Sequence, residues 1–317
     1  MDYLKKNLPP KIFTCIEKLG LNNLKDIVTM SANDLRMLTN LSNKDVLLLQ
    51  DIVAFHLSPQ SITSDRIIEK PNKTTTGCLA FDQVLNGGYR KGTITEIYGE
   101  SGSGKTQMMI FAAISNWSNG CVYICTEGPF PVKRYEQMKE NLANYNKNID
   151  YGKNIFIEHI LEAPDLLSCV RVRLTKLLQE NCISLIVIDS VAAPFRSEST
   201  NYIQRAEKLR ELAVTLICLA QEHNFSVVCV NQVTSSLEVS NVLPSLGLAW
   251  SNMVSTRLWL KKTDESIHLK TDHGNEQIVI REMCVMFAPD VANASFIENY
   301  GQRLVPNKPK STDNKEF

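Results

Sequence analysis

Two stretches of the chain carry different hydrophobic periods. From Leu8 to Leu57 apolar positions recur at helical spacing: Ile12, Phe13, Ile16 and Leu19 share one face, and Leu24, Ile27 and Val28 resume the pattern. Gly20 is placed to end the first of these helices, because a residue without a β-carbon takes up left-handed backbone readily. Ser31 precedes Leu35 and Leu38, and Ser42 with Asp45 three positions on predicts a capped start for Val46, Leu49, Ile52 and Val53. The second stretch alternates apolar strand-like runs with helical ones. Strands are expected at Ile94 to Tyr98, Cys121 to Cys125, Ile155 to Glu158, Leu185 to Asp189 and Ser226 to Val230. Helices are expected from Thr106, from Pro131 to Leu142, from Leu166 to Leu178 and from Gln204 to His223. Unbroken apolar strands such as Leu185-Ile186-Val187-Ile188 imply a sheet covered on both faces, hence a mostly parallel, twisted α/β core. After Trp250, Ser255 to Leu260, Gln277 to Arg281 and Cys284 to Phe287 predict strands with no helix between them.

Residues 58–76, polar with Pro59 and Pro71 and little periodicity, read as a tether. The expected organisation is therefore an all-α lobe over residues 1–57, shaped like a helix-hairpin-helix unit around Leu19-Gly20-Leu21. A linker follows over 58–76, then an α/β core over 77–305 and a polar, disordered tail over 306–317.

Residues Gly99-Glu100-Ser101-Gly102-Ser103-Gly104-Lys105-Thr106 form a complete phosphate-binding loop between a predicted strand and a predicted helix. Glycines at 102 and 104 let successive N–H groups turn toward phosphate oxygens, and the helix that follows adds its positive end. Lys105 is then expected at the β and γ phosphates, and the Thr106 hydroxyl on magnesium. Asp189 ends an apolar strand, where a carboxylate holds the magnesium shell through water. Glu127 ends another strand, one helix and one strand after Lys105, where it can orient or deprotonate an attacking water. Gln232, just past Val227 to Val230, offers a neutral amide to sense the γ phosphate. No guanine-reading Asn-Lys-x-Asp segment occurs, which favours ATP over GTP.

Composition narrows the class. The 317 residues carry 34 basic against 34 acidic side chains, so no global field draws nucleic acid, and an anionic partner must be met by local patches. Nine scattered cysteines predict reduced, buried thiols rather than a disulfide framework, and Cys121 and Cys125 read as small core residues. Nowhere do eighteen uncharged apolar residues run together, and the first ten residues lack a signal-peptide core, so neither secretion nor a membrane span is expected.

Gly77, Gly87-Gly88, Gly92 to Glu96, the phosphate loop with Gln107, Thr126-Glu127-Gly128, Val187 to Ser190 and Asn231-Gln232-Val233 together resemble the RecA-type recombinases of eukaryotes, and within them the recombinase paralogues. The resemblance covers both lobes. It implies a RecA-like P-loop ATPase core, with ATP and Mg2+ as cofactors and slow, DNA-dependent hydrolysis. It further implies a nuclear protein with a cytoplasmic pool, acting in homologous recombination as the subunit of a paralogue complex. The implied partners are the C-type recombinase paralogue, as a heterodimer, the main strand-exchange recombinase, and single-stranded or branched DNA. Gln107 joins the nucleotide set, Arg134 falls where family members place an arginine near adenine, and Pro289 resembles the segment that caps a neighbour's nucleotide.

The family lays DNA along two loops, expected here near Pro194 to Arg205 and Val233 to Gly247, with Arg196 and Arg205 as the candidate DNA contacts. Between Glu211 and Thr256 there is no lysine or arginine, so the second loop has no cationic side chain for phosphate. The linker also lacks a Phe-x-x-Ala docking peptide, since Phe55 is followed by His56, Leu57 and Ser58. These departures predict a member of a mixed complex rather than a self-polymerising enzyme. Two alternatives stay open: a nucleotide-gated scaffold that never hydrolyses, and a RecA-core helicase.

Overall fold

The computed structural model describes residues 2–21, 23–58, 63, 72–142, 146–196, 202–234, 243–271, 274–291 and 294–298. It divides into two compact units, residues 1–70 and 71–317. In the first, five helices follow one another: α1 (Asp2–Asn7), α2 (Pro10–Lys18), α3 (Leu24–Thr29), α4 (Ala32–Thr39) and α5 (Asn43–Leu57). Proline at the first position of α2 loses no hydrogen bond there. Gly20, with φ +66°, ends that helix. Ser31 Oγ accepts from the Asp34 N–H at 3.1 Å and donates to the Asp34 carboxylate at 2.7 Å; Ser42 repeats the exchange with Asp45 at 3.2 and 2.8 Å. That serine bond, with Lys11 at 3.6 Å, holds the Asp45 carboxyl below its usual range.

The core of this unit takes Ile12 with Ile16 and Leu35 with Thr39, pairs four apart, against Val46, Leu49 and Val53 of α5. Leu19, Val28 and Leu38, expected on the same apolar faces, are exposed. Leu19 already lies past the end of α2, and in helices of six and eight residues Val28 and Leu38 flank the narrow stripe that turns inward.

Of the expected linker, residues 59–62 and 64–71 lie outside the described residues, as does the expected tail 306–317. Residues 73–76 are built into the second unit. β1 (Lys73–Thr74) pairs antiparallel with β2 (Tyr89–Arg90), Thr76 is buried, and the Thr74 hydroxyl donates to the Ser184 carbonyl at 3.0 Å. Polar composition suggested a tether, but each hydroxyl here has a partner, which makes threonine an inexpensive core residue.

Beyond α6 (Leu79–Val84) the second unit builds its sheet from β3 (Ile94–Tyr98), β4 (Cys121–Cys125), β5 (Ile155–His159), β6 (Leu185–Asp189) and β7 (Ser226–Asn231). The covering helices are α7 (Lys105–Ser115), α8 (Val132–Glu140), α9 (Ala163–Ser168), α10 (Thr175–Glu180) and α11 (Tyr202–His223), with a π-helical stretch, 169–174, joining α9 to α10. A short hairpin of β8 (Val233–Thr234) and β9 (Leu243–Pro244) and the turn of helix α12 (Gly247–Ser251) lead into β10 (Thr256–Thr271), β11 (Gly274–Phe287) and β12 (Ala294–Glu298). The eight strands run in the order β12-β11-β10-β3-β7-β6-β4-β5, with the six from β10 to β5 parallel and β11 antiparallel to both its neighbours.

Ile94, Val122, Ile186 and Val227 face one core with α9 and α11, while Ile97, Tyr123, Val187 and Val228 face the other with α7. The two strands expected at 277–281 and 284–287 form one, because Glu282, the polar break between them, pairs with Lys261 of β10 at 2.7 Å. β12 was not foreseen. Six cysteines are buried as expected; Cys182 and Cys218 are exposed and Cys15 is half-buried, all nine being free thiols. Among the described residues no helix is long and apolar enough to cross a membrane.

Candidate functional site

Register brings the chemistry to one edge of the sheet. Asp189, the last residue of β6, stands opposite Cys125 of β4 and Val230 of β7, so Glu127 and Gln232, each two residues further on, leave the sheet at the same end. Tyr98 pairs with Asn231, which sets the phosphate loop beside them between β3 and α7. Gly102 and Gly104 have φ of +72° and +101°, backbone that a side chain strains, and a β-carbon on Gly99 would lie 2.0 Å from the Leu260 carbonyl. Glycine is required at these three positions by strain or by space.

The loop, Lys105, Thr106, Gln107, Glu127, Asp189, Ser190 and Gln232 line one cleft of about 480 Å³. Lys105 Nζ donates to the carbonyls of Gly99 at 2.7 Å and Glu100 at 2.8 Å. Partial burial lowers its pKa; Asp189, Glu127 and Glu100 pull it back up, and Lys262 adds to the lowering. Burial raises the pKa of Asp189 against hydrogen bonds from Thr106 and from the Tyr123 hydroxyl, the latter at 2.8 Å. Burial and this same carboxylate push the Tyr123 phenol well above its usual range, so it stays a donor. Thr106 and Asp189, the two expected magnesium ligands, are thus brought together.

Glu127 is half-exposed at the cleft rim. Its Oε1 accepts from Ser190 Oγ at 2.6 Å and from the Gln232 amide, and Arg196 lies 3.6 Å away. The expected water activator and the expected sensor therefore touch, and the arginine expected on DNA stands beside the Glu127 carboxylate. Arg134 donates to Gln107 Oε1 at 2.9 Å, joining two more of the expected nucleotide residues. Arg205 lies over the Tyr202 ring at 5.2 Å, on α11. Pro289 is exposed in the turn after β11, beside Asp290, whose carbonyl accepts from Asn86 at 2.8 Å. Glu100, Ser101 and Ser103 are in the loop as expected, Ser103 with a buried Oγ that finds no hydrogen-bond partner among the described residues. The segment 235–242 of the second expected DNA loop lies outside the described residues.

Sequence reasoning missed Tyr123 and Ser190. Tyr123 sits mid-strand two positions before Cys125, a place where an aromatic reads as core, and only the β4–β6 pairing shows which carboxylate it meets.

The donor set suits a magnesium triphosphate: a glycine cradle, a buried hydroxyl left unpaired, one ammonium, and a hydroxyl–carboxylate pair for a hard cation. A model of the Rad51 family matches residues 69–282. The chain is 31% identical over 335 residues to the DNA repair protein XRCC3 of Mus musculus, covering 93% of this chain and 95% of that protein. It is 29% identical over 311 residues to the DNA repair protein rhp57 of Schizosaccharomyces pombe, covering 81% and 87%. With the DNA repair protein XRCC3 homolog of Arabidopsis thaliana it shares 30% over 236 residues, covering 62% and 77%. The matched stretch takes in the phosphate loop, Glu127, Asp189 and Gln232 on one RecA-like sheet, and the chain belongs to the Rad51 family.

Proposed function

We propose that this chain is an ATP-binding recombinase paralogue that acts in DNA repair by homologous recombination. In this reading it is a nuclear protein with a cytoplasmic pool and a subunit of a paralogue complex, paired with the C-type paralogue, that assists the main strand-exchange recombinase on single-stranded or branched DNA. The repair role is supported by the names of the relatives, all DNA repair proteins. The ATP role is supported by one observation above the others: Lys105, Thr106, Asp189 and Glu127 converge on a single cleft over a loop whose glycines adopt φ values that favour them.

Each residue then has a task. The loop N–H groups and Lys105 hold the phosphates, and Thr106 with Asp189 holds the cation. Magnesium, when bound, neutralises charge on the transferred phosphoryl group. Glu127 accepts a proton from water, with Ser190 and Gln232 fixing its carboxylate, while Gln107 and Arg134 border the base side. Gln232 bonds Glu127 and roots the β8–β9 hairpin, so the water activator and the start of the second expected DNA loop are neighbours in space. Nucleotide binding across a partner interface would stabilise the assembled state by mass action, and slow, DNA-dependent hydrolysis would release it.

The test is Lys105→Ala. Equilibrium binding of MgATP should weaken by at least ~10-fold, the loss of one charge-assisted phosphate contact, and the complex with the C-type paralogue should dissociate at a changed rate. Unaltered affinity and complex lifetime would refute the reading.

A further inference from the structure

We infer that Lys262 and Arg281, from the β10–β11 pair, form a second cationic arm over the phosphate loop and bind the anionic phosphate chain of the nucleotide. The inference deepens the ATP reading and rests on it. The two residues stand directly opposite each other in the antiparallel ladder. Lys262 Nζ lies 3.2 Å from the point a β-carbon on Gly102 would occupy, and Arg281 Cδ 3.3 Å from the same point on Gly104. Arg281 Nη2 donates to the Gly102 carbonyl at 3.3 Å and Nη1 to the Val279 carbonyl at 3.1 Å, while its Nε–H is buried without an acceptor.

Like charges directly opposite in a ladder destabilise it. Here the cost is compounded, because Lys262 also repels Lys105. The preceding pair in the same ladder, Lys261 and Glu282, has opposite charges 2.7 Å apart. This ladder therefore uses a complementary pair one step away, where pairing is all that is asked of it. Among the described residues neither Lys262 nor Arg281 joins an ion pair with a carboxylate. Three cations converging on a glycine loop, with a spare buried N–H, are matched by a ligand of high negative charge; a polyphosphate supplies it and removes the repulsion when it binds.

The experiment compares Lys262→Gln, Lys262→Gln/Arg281→Gln and Lys261→Gln with the wild-type chain, using MgATP and MgADP. The double variant should bind MgATP about 10-fold more weakly with a smaller loss for MgADP, and its affinity should depend less on salt. Without nucleotide Lys262→Gln should melt above the wild type by about 2 °C, because the repulsion is gone while the Arg281 hydrogen bonds and its place opposite Glu298 are kept. Lys261→Gln should do the reverse, lowering the melting temperature and leaving affinity unchanged. Lys262 is exposed, so the single variant folds and carries the test if the double does not. Wild-type affinity in the variants, with the wild type binding MgATP, overturns this inference alone. A folded wild-type chain that binds no nucleotide overturns the proposed function with it.

Discussion

Two polar clusters meet at the carboxyl ends of β3 and β7, and they are built on opposite terms. Around Glu96 the polar groups are paired, with Glu96, Asn231 and Trp250 buried and Arg257 nearly so. Its carboxylate accepts from Asn231 Nδ2 at 2.7 Å, Trp250 Nε1 at 2.9 Å and Arg257 Nε at 2.6 Å, while Arg257 also reaches Ser251 Oγ at 2.8 Å. Asn231 Oδ1 then accepts from the Gln232 N–H and from Ser245 Oγ, both at 2.8 Å. A few residues along the same strands, the cleft around Lys105 and Asp189 holds charges whose pKa values burial has moved against them, a buried serine hydroxyl without a partner, and an acid at the rim. A satisfied network fixes geometry, and an unsatisfied one holds polar groups in reserve for something else. The first positions the second: Asn231, held by Glu96, grips both Gln232 and Ser245, hence the roots of the hairpin that starts at the cleft.

Breaking the paired cluster should have the largest effect on stability. Glu96→Ala strands the Arg257 guanidinium in a nearly closed site and leaves the indole and amide donors without an acceptor. A cost of about 3–5 kcal/mol is expected for a buried pair broken on one side, read as the urea midpoint of the purified chain. Glu96→Gln keeps one acceptor oxygen and should lose about half of that. An equal, negligible loss in both would mean that solvent reaches this cluster.

Glu127→Gln sharpens the comparison from the cleft side. It removes a base while leaving a side chain of the same shape for Ser190 and Arg196 to contact, so folding and MgATP affinity should stay near wild type. Single-turnover hydrolysis should fall by roughly 100-fold, a typical contribution of one general base. Equal rates with and without the carboxylate, alone and beside the partner, would favour the scaffold that never hydrolyses.

How far each cluster was legible follows from how its parts are joined. The loop from Gly99 to Thr106 was legible because it is a run of contiguous residues between a strand and a helix, with a backbone that demands glycine. Asp189, Glu127 and Gln232 were legible as strand ends, since a polar residue closing an apolar run has few places to go. Glu96 was not: nothing in the run Ile94 to Tyr98 marks its acid as a core residue, yet every residue of that strand is buried. Its three partners lie more than a hundred residues away in sequence, and no local pattern announces a buried acid with that many donors. Tyr123 and the Lys262–Arg281 pair were hidden for the same reason, because pairing between distant strands gives them their meaning. In the helical unit the failures were of the opposite kind. Leu19 and Leu38 fit the local period, but helices of two turns have too little length for the period to decide.

The smallest effect should come from Asp189, and it has a sign that a merely structural carboxylate would not give. Burial raises its folded pKa above the ordinary 3.8, so the ionised form is disfavoured in the folded chain. Stability is therefore reduced above the raised pKa, and the reduction disappears as pH falls through that value toward 3.8. Asp189→Asn keeps an oxygen for Thr106 and Tyr123 and removes the buried charge. At pH 7, without metal or nucleotide, it should melt about 2 °C above the wild type, with the gap closing as the pH is lowered. With MgATP the order should reverse, because only the carboxylate answers the cation. Scanning fluorimetry across pH with and without MgATP reads both signs, and a variant that melts below wild type in both states would place Asp189 among the paired, structural groups with Glu96.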